Sequence, residues 1–382
     1  GYQHPKVIEG IKKQAELLCT VGPDYANLAR GRAASLVARR APEGFDKVFF
    51  TNAGADANEN AMRAARLFTG RDKILSSYRC YHGNTGAAIS ATGDWRRKPN
   101  DYSRGHVHFF TPYLYRSEFS ATTQEEECER ALAHLEHVIQ FEGPDTIAAF
   151  WAEPVMGAGG VVTPPATYWE KIQAVLARYD ILLVADEVIC GFGRTGNMFG
   201  STTYGMRPDV MVLSKQITSS YVPFSAILVN DRVFGPIADE SERIGVFGHG
   251  YTGGSHPLGA AVALENIAII EERDLVGNVR EVGRRFLSSL EALLDHPLVG
   301  EVRGVGLIAA VELVNDKAAK SVTGPVGKLG SAMNAALQRN GVISRNLGDA
   351  VAFCPPMIIT AAQADDLFDR VKTSLADVEA EA

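Results

Sequence analysis

Short apolar runs alternate with helix-spaced segments through the middle of the chain. Val48-Phe49-Phe50, Lys73-Ile74-Leu75, Ile147–Ala152, Ile181–Ala185, Val210–Leu213 and Ser225–Val229 lack polar alternation, the texture of strands buried on both faces. Between them, Ala57, Ala61, Ala64, Ala65 and Phe68 recur at helical spacing, as do Ile172, Val175, Leu176 and Tyr179. Two further helices are predicted over Val7–Leu18 and Ala26–Arg39, and a charged one over Gln124–Phe141. Strands alternating with helices from about residue 48 to 230 predict an α/β fold with a mostly parallel central sheet flanked by helices.

The remaining segments are less regular. Asp94–Tyr115 is rich in Arg, Pro, Tyr and His and is expected to be a long loop, with Arg96, Arg97 and Lys98 a solvated charge run. Thr167-Tyr168-Trp169-Glu170 has capping-box spacing. Val246–Pro257 is a glycine-rich loop, and Leu258–Arg273 and Gly277–Leu294 read as helices. Strands near Leu307–Leu313 and Val351–Cys354, with helices near Leu329–Gln338 and Gln363–Ala376, suggest a smaller α+β domain. The expected division is an N-terminal segment 1–20, a large domain 21–257 and a small domain 258–382, with Asp377–Ala382 frayed.

Ligand groups in such sheets gather beyond the carboxyl ends of the strands, where Asn52, Glu153, Asp186 and Lys215 fall. The turn Thr51-Asn52-Ala53-Gly54-Ala55-Asp56 joins a strand to a helix through small residues, leaving N–H groups for an anion. Many such turns bind nothing. A lysine delivered by an apolar strand into a closed site is partly desolvated and can form an imine with an aldehyde. An aspartate delivered the same way suits a partner cation; at ~4 Å and an effective dielectric near 20 the pair is worth roughly 4 kcal/mol. A protonated pyridine ring between Asp186 and Lys215 accounts for both residues. Taken singly, Asp186 also reads as an N-cap or ion pair, Lys215 as a solvated charge, Tyr81 as a core tyrosine and His82 as structural.

Composition narrows the class. The 382 residues are 46% hydrophobic and 22% charged, a globular balance, and the net charge of -7 argues against a phosphate-backbone binder. No run approaches a membrane span, and no secretory signal pattern opens the chain. Five scattered cysteines without metal-ligand spacing suggest reduced thiols, a cytoplasmic setting and no metal.

Several motifs in order resemble the class III aminotransferases, fold type I pyridoxal-phosphate enzymes. These are Ala53-Gly54-Ala55-Asp56-Ala57-Asn58-Glu59, Tyr81-His82-Gly83, Ala152-Glu153-Pro154-Val155, Asp186-Glu187-Val188 with Gly191-Phe192-Gly193-Arg194-Thr195-Gly196, Leu213-Ser214-Lys215, and His249-Gly250-Tyr251-Thr252 with His256-Pro257. The resemblance implies that Lys215 holds the cofactor aldehyde and then moves the proton, and that Asp186 pairs with the pyridinium nitrogen. It implies that Tyr81 stacks on one ring face and Val188 packs on the other. Gly54 and Ala55 would bind the phosphate, His82 and Glu153 would belong to the cofactor set, and Thr252 would reach the phosphate of a neighbouring subunit. That last role implies a homodimer with shared sites, with a tetramer as the higher assembly.

Within the family, the contexts of Lys215 and Arg345 resemble the amine–pyruvate group, in which an arginine binds the substrate carboxylate. The function expected is transfer of an amino group from a primary amine or ω-amino acid to pyruvate by a ping-pong cycle. The alternatives are a 2-oxoglutarate-linked ω-amino acid aminotransferase and a non-catalytic binding protein on the same fold. Ala53 and Ala55 stand where the family often carries hydroxyls, and no aromatic residue follows Thr252. The family also carries a segment before Gly1-Tyr2-Gln3-His4-Pro5 that contributes to the substrate pocket.

Overall fold

A sheet buried on both faces needs strands that are predominantly apolar, and four consecutive strands of this chain meet that demand. The computed structural model describes residues 1–244 and 250–381. Strands β1 (Lys47–Thr51), β2 (Lys73–Ser77), β3 (His106–Phe109), β4 (Ile147–Ala152), β5 (Leu182–Asp186), β6 (Val210–Leu213) and β7 (Ser225–Val229) form one sheet in the order β1-β7-β6-β5-β4-β2-β3. Every residue of β4, β5, β6 and β7 is buried. The pleat sorts them to two cores. Leu182 and Val184 face the alanines of helix Gly54–Thr69, whereas Leu183 and Ala185 face Leu135, Ile139, Ile172 and Leu176 of the opposite helical layer. Each fully buried aliphatic side chain of this kind contributes roughly 1.5–3 kcal/mol.

The chain divides into two compact units. The first comprises Gly1–Pro154, Pro164–Phe192 and Met198–Arg273; the second comprises Val155–Thr163, Gly193–Asn197 and Asp274–Ala382. Helix Pro257–Glu272 therefore belongs to the first unit, and the main division falls at Arg273 rather than at Pro257. In the second unit β8 (Val299–Val305), β9 (Ile308–Leu313), β10 (Arg345–Leu347) and β11 (Ala350–Phe353) form an antiparallel sheet ordered β10-β11-β9-β8. Helices Leu275–Glu291, Lys328–Arg339 and Ala361–Glu381 complete it.

Three local expectations are corrected. The stretch expected to be a long loop holds β3 at the sheet edge, preceded by a 3-10 turn over Trp95–Asn100. Thr167 forms no capping bond: its backbone is already helical, at φ -94° and ψ -1°, and its hydroxyl lies 3.9 Å from Cys128 Sγ. The acidic end is helical through Glu381 because Val378 is buried, at 2% exposure. The Val246–Pro257 loop is described only from Gly250 onward, so His249 lies outside the described residues. Among the described residues no helix is long and apolar enough to cross a membrane.

Glu187 shows how the sheet edge handles a buried acid. It accepts from the N–H groups of Gly200 (2.8 Å) and Ser201 (2.6 Å) at the start of helix Gly200–Thr203. Burial pushes its carboxyl up to about 7, against those donors and with the help of the neighbouring Asp186 charge. The folded state thus holds the proton more tightly than the unfolded chain. The group favours folding below about 4.5, and that contribution is lost as pH rises to about 7. Melting temperature should therefore fall more steeply across that window in the wild type than in Glu187→Gln; parallel profiles would remove Glu187 from the account.

Candidate active site

Strand β7 is antiparallel to both β1 and β6, so β1 runs in the same direction as the parallel strands β6, β5, β4 and β2. Five carboxyl ends therefore open on one edge. They deliver the Ala53–Ala55 turn, Tyr81–Gly83, Glu153, Asp186 and Ser214–Lys215 to a single cavity of about 300 Å³. That volume lies at the small end of the roughly 300–1,000 Å³ usual for ligand pockets.

Asp186 ends β5 on the face of Leu182 and Val184, so it points toward helix Gly54–Thr69. It is 2% exposed. Its Oδ2 accepts from His82 Nδ1 at 2.7 Å and from Asn58 Nδ2 at 3.0 Å, and its Oδ1 accepts from the N–H of Val188 at 3.1 Å. Asn58 is the hub. Its Nδ2 also faces His82 O (2.7 Å) and Gly54 O (3.1 Å), while its Oδ1 accepts from Trp151 Nε1 at 2.7 Å. Turning the amide over would set an oxygen against three acceptors and a nitrogen against a donor, so only one orientation is tenable. Burial opposes a charge on His82, but the neighbouring Cys80 sulfur and the Asp186 carboxylate outweigh it and hold the imidazole protonated well above its usual range. No ion pair joins Asp186 to Lys215 among the described residues.

Helix Gly54–Thr69 begins without a side-chain cap, because Ala53 at the N-cap has no acceptor to offer. Its first N–H groups, with the positive end of the helix, are left for an anion. Gly54 packs closely there: a Cβ would come within 3.3 Å of Val188 Cγ2 and 3.5 Å of Ser214 Cβ. Gly83 has φ +141°, and a Cβ on it would lie 2.6 Å from that of Ala55. Lys215 occupies a left-handed backbone position at φ 38°, a strained geometry for a non-glycine residue. Its side chain is exposed rather than enclosed as expected, since it leaves β6 on a 3-10 turn at the cavity mouth.

Residues 1–375 match the family described as Aminotransferase class-III. This chain belongs to the class III aminotransferases. A gamma-aminobutyrate transaminase 1 of Solanum lycopersicum is 41% identical over 87% of this chain, which spans 66% of that protein's length. A diaminobutyrate–2-oxoglutarate transaminase of Halomonas elongata is 38% identical over 98% of this chain and 83% of its own length. A solved structure described as a transaminase with L-ala superposes with a TM-score of 0.98 at 49% identity, covering 100% of this chain and 92% of that one.

Class III aminotransferases are pyridoxal-phosphate enzymes. The donor set of this cavity fits such a group: uncapped N–H groups for a phosphate, a buried carboxylate for a ring nitrogen, and an amine for an aldehyde. Tyr81 and Val188 line the cavity, and Glu153 Oε1 accepts from the N–H of Tyr81 at 3.1 Å. Thr252 is exposed and is not among the residues lining the cavity. Arg345 opens β10 in the second unit, exposed, with no side-chain partner among the described residues. Asn58 and Trp151 were not singled out from the sequence, because one amide and one indole on otherwise apolar or alanine-rich segments give no periodic signal. Arg96, expected to be solvated, is instead folded over the Tyr81 ring.

The hub makes an isosteric test available. Asn58→Asp presents a carboxylate to the Asp186 carboxylate and to two carbonyl oxygens, and should cost about 2–4 kcal/mol in urea unfolding. Trp151→Phe removes one buried donor and should cost about 1–3 kcal/mol. An Asn58→Asp protein as stable as the wild type would contradict the hydrogen-bond assignment.

Proposed function

We propose that this class III aminotransferase binds pyridoxal phosphate and moves an amino group from a primary amine or ω-amino acid to pyruvate by a ping-pong cycle. The observation that carries the reading is the convergence, on one cavity, of the buried Asp186 carboxylate, the uncapped Gly54–Ala55 turn and the strained Lys215. When bound, pyridoxal phosphate supplies an aldehyde that captures the amine and a ring that takes up an electron pair as the substrate proton leaves. The residues perform the rest. Asp186 keeps a proton on the ring nitrogen, with His82 and Asn58 fixing the angle of its carboxylate. Nζ of Lys215 is the covalent anchor and, once released, the base that carries the proton. Tyr81 and Val188 confine the ring, and the N–H groups of Gly54 and Ala55 take the phosphate.

Arg345, exposed and without an ion-pair partner among the described residues, is proposed to bind the substrate carboxylate through its planar fork. Thr252 is proposed to act on the phosphate of a second subunit, which makes the working form a homodimer. Five free cysteines support a reducing, cytoplasmic setting. Pyruvate is favoured as acceptor because a transaminase 49% identical to this chain is described with L-ala, the amino counterpart of pyruvate. The 2-oxoglutarate reading has its own support, since that acceptor stands in the name of the Halomonas relative.

Adding pyridoxal phosphate should produce a visible absorbance band that borohydride bleaches while fixing the cofactor to the chain, and that Lys215→Ala abolishes; a wild-type protein without the band would sink the cofactor reading. Asp186→Asn should keep the bound phosphate but lower turnover roughly 1,000-fold, the rate equivalent of a ~4 kcal/mol charge pair. Initial rates with pyruvate and 2-oxoglutarate should favour pyruvate, and a preference for 2-oxoglutarate would move the chain to the second reading. Arg345→Ala should slow the keto-acid half-reaction more than the half-reaction of a carboxylate-free amine, whereas equal losses would point to a structural arginine.

A further inference from the structure

Tyr81 lines the cavity, and its ring carries a cation. The guanidinium of Arg96 sits 3.8 Å from the centroid of the Tyr81 ring. Arg96 is not among the residues that line the cavity. Its Nε lies 2.9 Å and 3.1 Å from the two oxygens of Asp94, and a second nitrogen also bonds Asp94 Oδ2. Asp94 in turn accepts from the N–H of Arg96 at 2.9 Å, capping the 3-10 turn Trp95–Asn100. The two side chains are only 12% and 25% exposed.

The segments carrying the two partners are stitched together by backbone. Arg79 N–H donates to Gly93 O at 3.1 Å, and Gly93 N–H donates to Cys80 O at 3.0 Å. The approach depends on glycine, since a Cβ on Gly93 would lie 2.0 Å from Ser77 O. Helix Gly86–Ala91 carries the chain out and back between the two partners. Glu153 Oε1 accepts from the N–H of Tyr81 at 3.1 Å.

We propose that Arg96, held by Asp94, is a positioning residue that fixes the plane of the Tyr81 ring against the cofactor. The proposal rests on the reading of the cavity as a pyridoxal-phosphate site. A tyrosine in a cavity wall can tilt about its side-chain torsions; a planar cation stacked on the ring removes that freedom. An unpaired cation there would oppose the positive charge of a protonated pyridine ring across the tyrosine. The bidentate carboxylate of Asp94 neutralises it, leaving the plane without the field. Lysine could supply the charge but not the plane.

Cofactor release from the holoenzyme on dilution, followed by the visible band, measures the effect. Arg96→Ala should raise the cofactor dissociation constant about 3–10-fold and weaken the visible circular dichroism of the bound ring. Arg96→Lys, which keeps charge and bulk and so preserves folding, should behave like Arg96→Ala. In a Tyr81→Leu background, Arg96→Ala should add no further loss, because the ring through which it acts is gone. An unchanged dissociation constant in Arg96→Ala, full rescue by lysine, or the same factor in both backgrounds would overturn the proposal. Failure of the cofactor reading is recognised separately, by a wild-type protein that never develops the band.

Discussion

A carboxylate at 2% exposure is costly to bury unless donors replace the water it has lost, and Asp186 draws those donors from three separate segments. Asn58 comes from the first helix of the main sheet, His82 from the segment after β2, and the N–H of Val188 from the loop that follows Asp186 itself. Satisfying one acid therefore fixes the mutual placement of helix Gly54–Thr69, the Tyr81–Gly83 segment and the end of β5. The helix that begins at the uncapped Ala53–Ala55 turn also carries, one turn on, the amide that orients the acid. The two ends of the ligand space are thereby set by a single rigid element. Trp151, from the core of β4, anchors that amide from behind.

Much of this was legible in the sequence, for a definite reason. Strands β4 to β7 are buried at every position and apolar at nearly all of them, so ionisable residues at their carboxyl ends are conspicuous. Asp186, which ends β5, and Lys215, two residues beyond β6, stand out by that rule. Features carried by single polar contacts did not. Asn58 lies on a helix whose alanines gave the pattern, and Arg96 lies in a run of three cations that reads as solvated until Asp94 and Tyr81 are placed beside it. Strand β3, His-Val-His-Phe, is too short and too rich in histidine to announce itself, yet burial pushes both of those histidines down to about 4. Thr167 has the right residue spacing for a cap but not the extended backbone a cap needs.

Close approach is the other constraint running through the site. Ala55 packs against Gly83, Gly54 against Val188 and Ser214, and Gly93 against the backbone of Ser77. With alanine at both 53 and 55, this turn offers the cavity backbone N–H donors, which cannot rotate away, rather than hydroxyls, which can. The same packing leaves little slack for larger side chains along the wall formed by these turns.

The antiparallel insertion of β7 between β6 and β1 bears on the order in which the chain assembles. Strands β6 and β7 are sequence neighbours and pair directly, so the Lys215 turn belongs to a local hairpin whose closure spans few residues. Strand β1 and the turn that follows it reach the sheet only by docking onto β7 from the far end of the sequence. The Ala53–Ala55 turn is part of the cavity wall. An intact cavity therefore reports that this long-range pairing is made, whereas a correctly placed lysine does not.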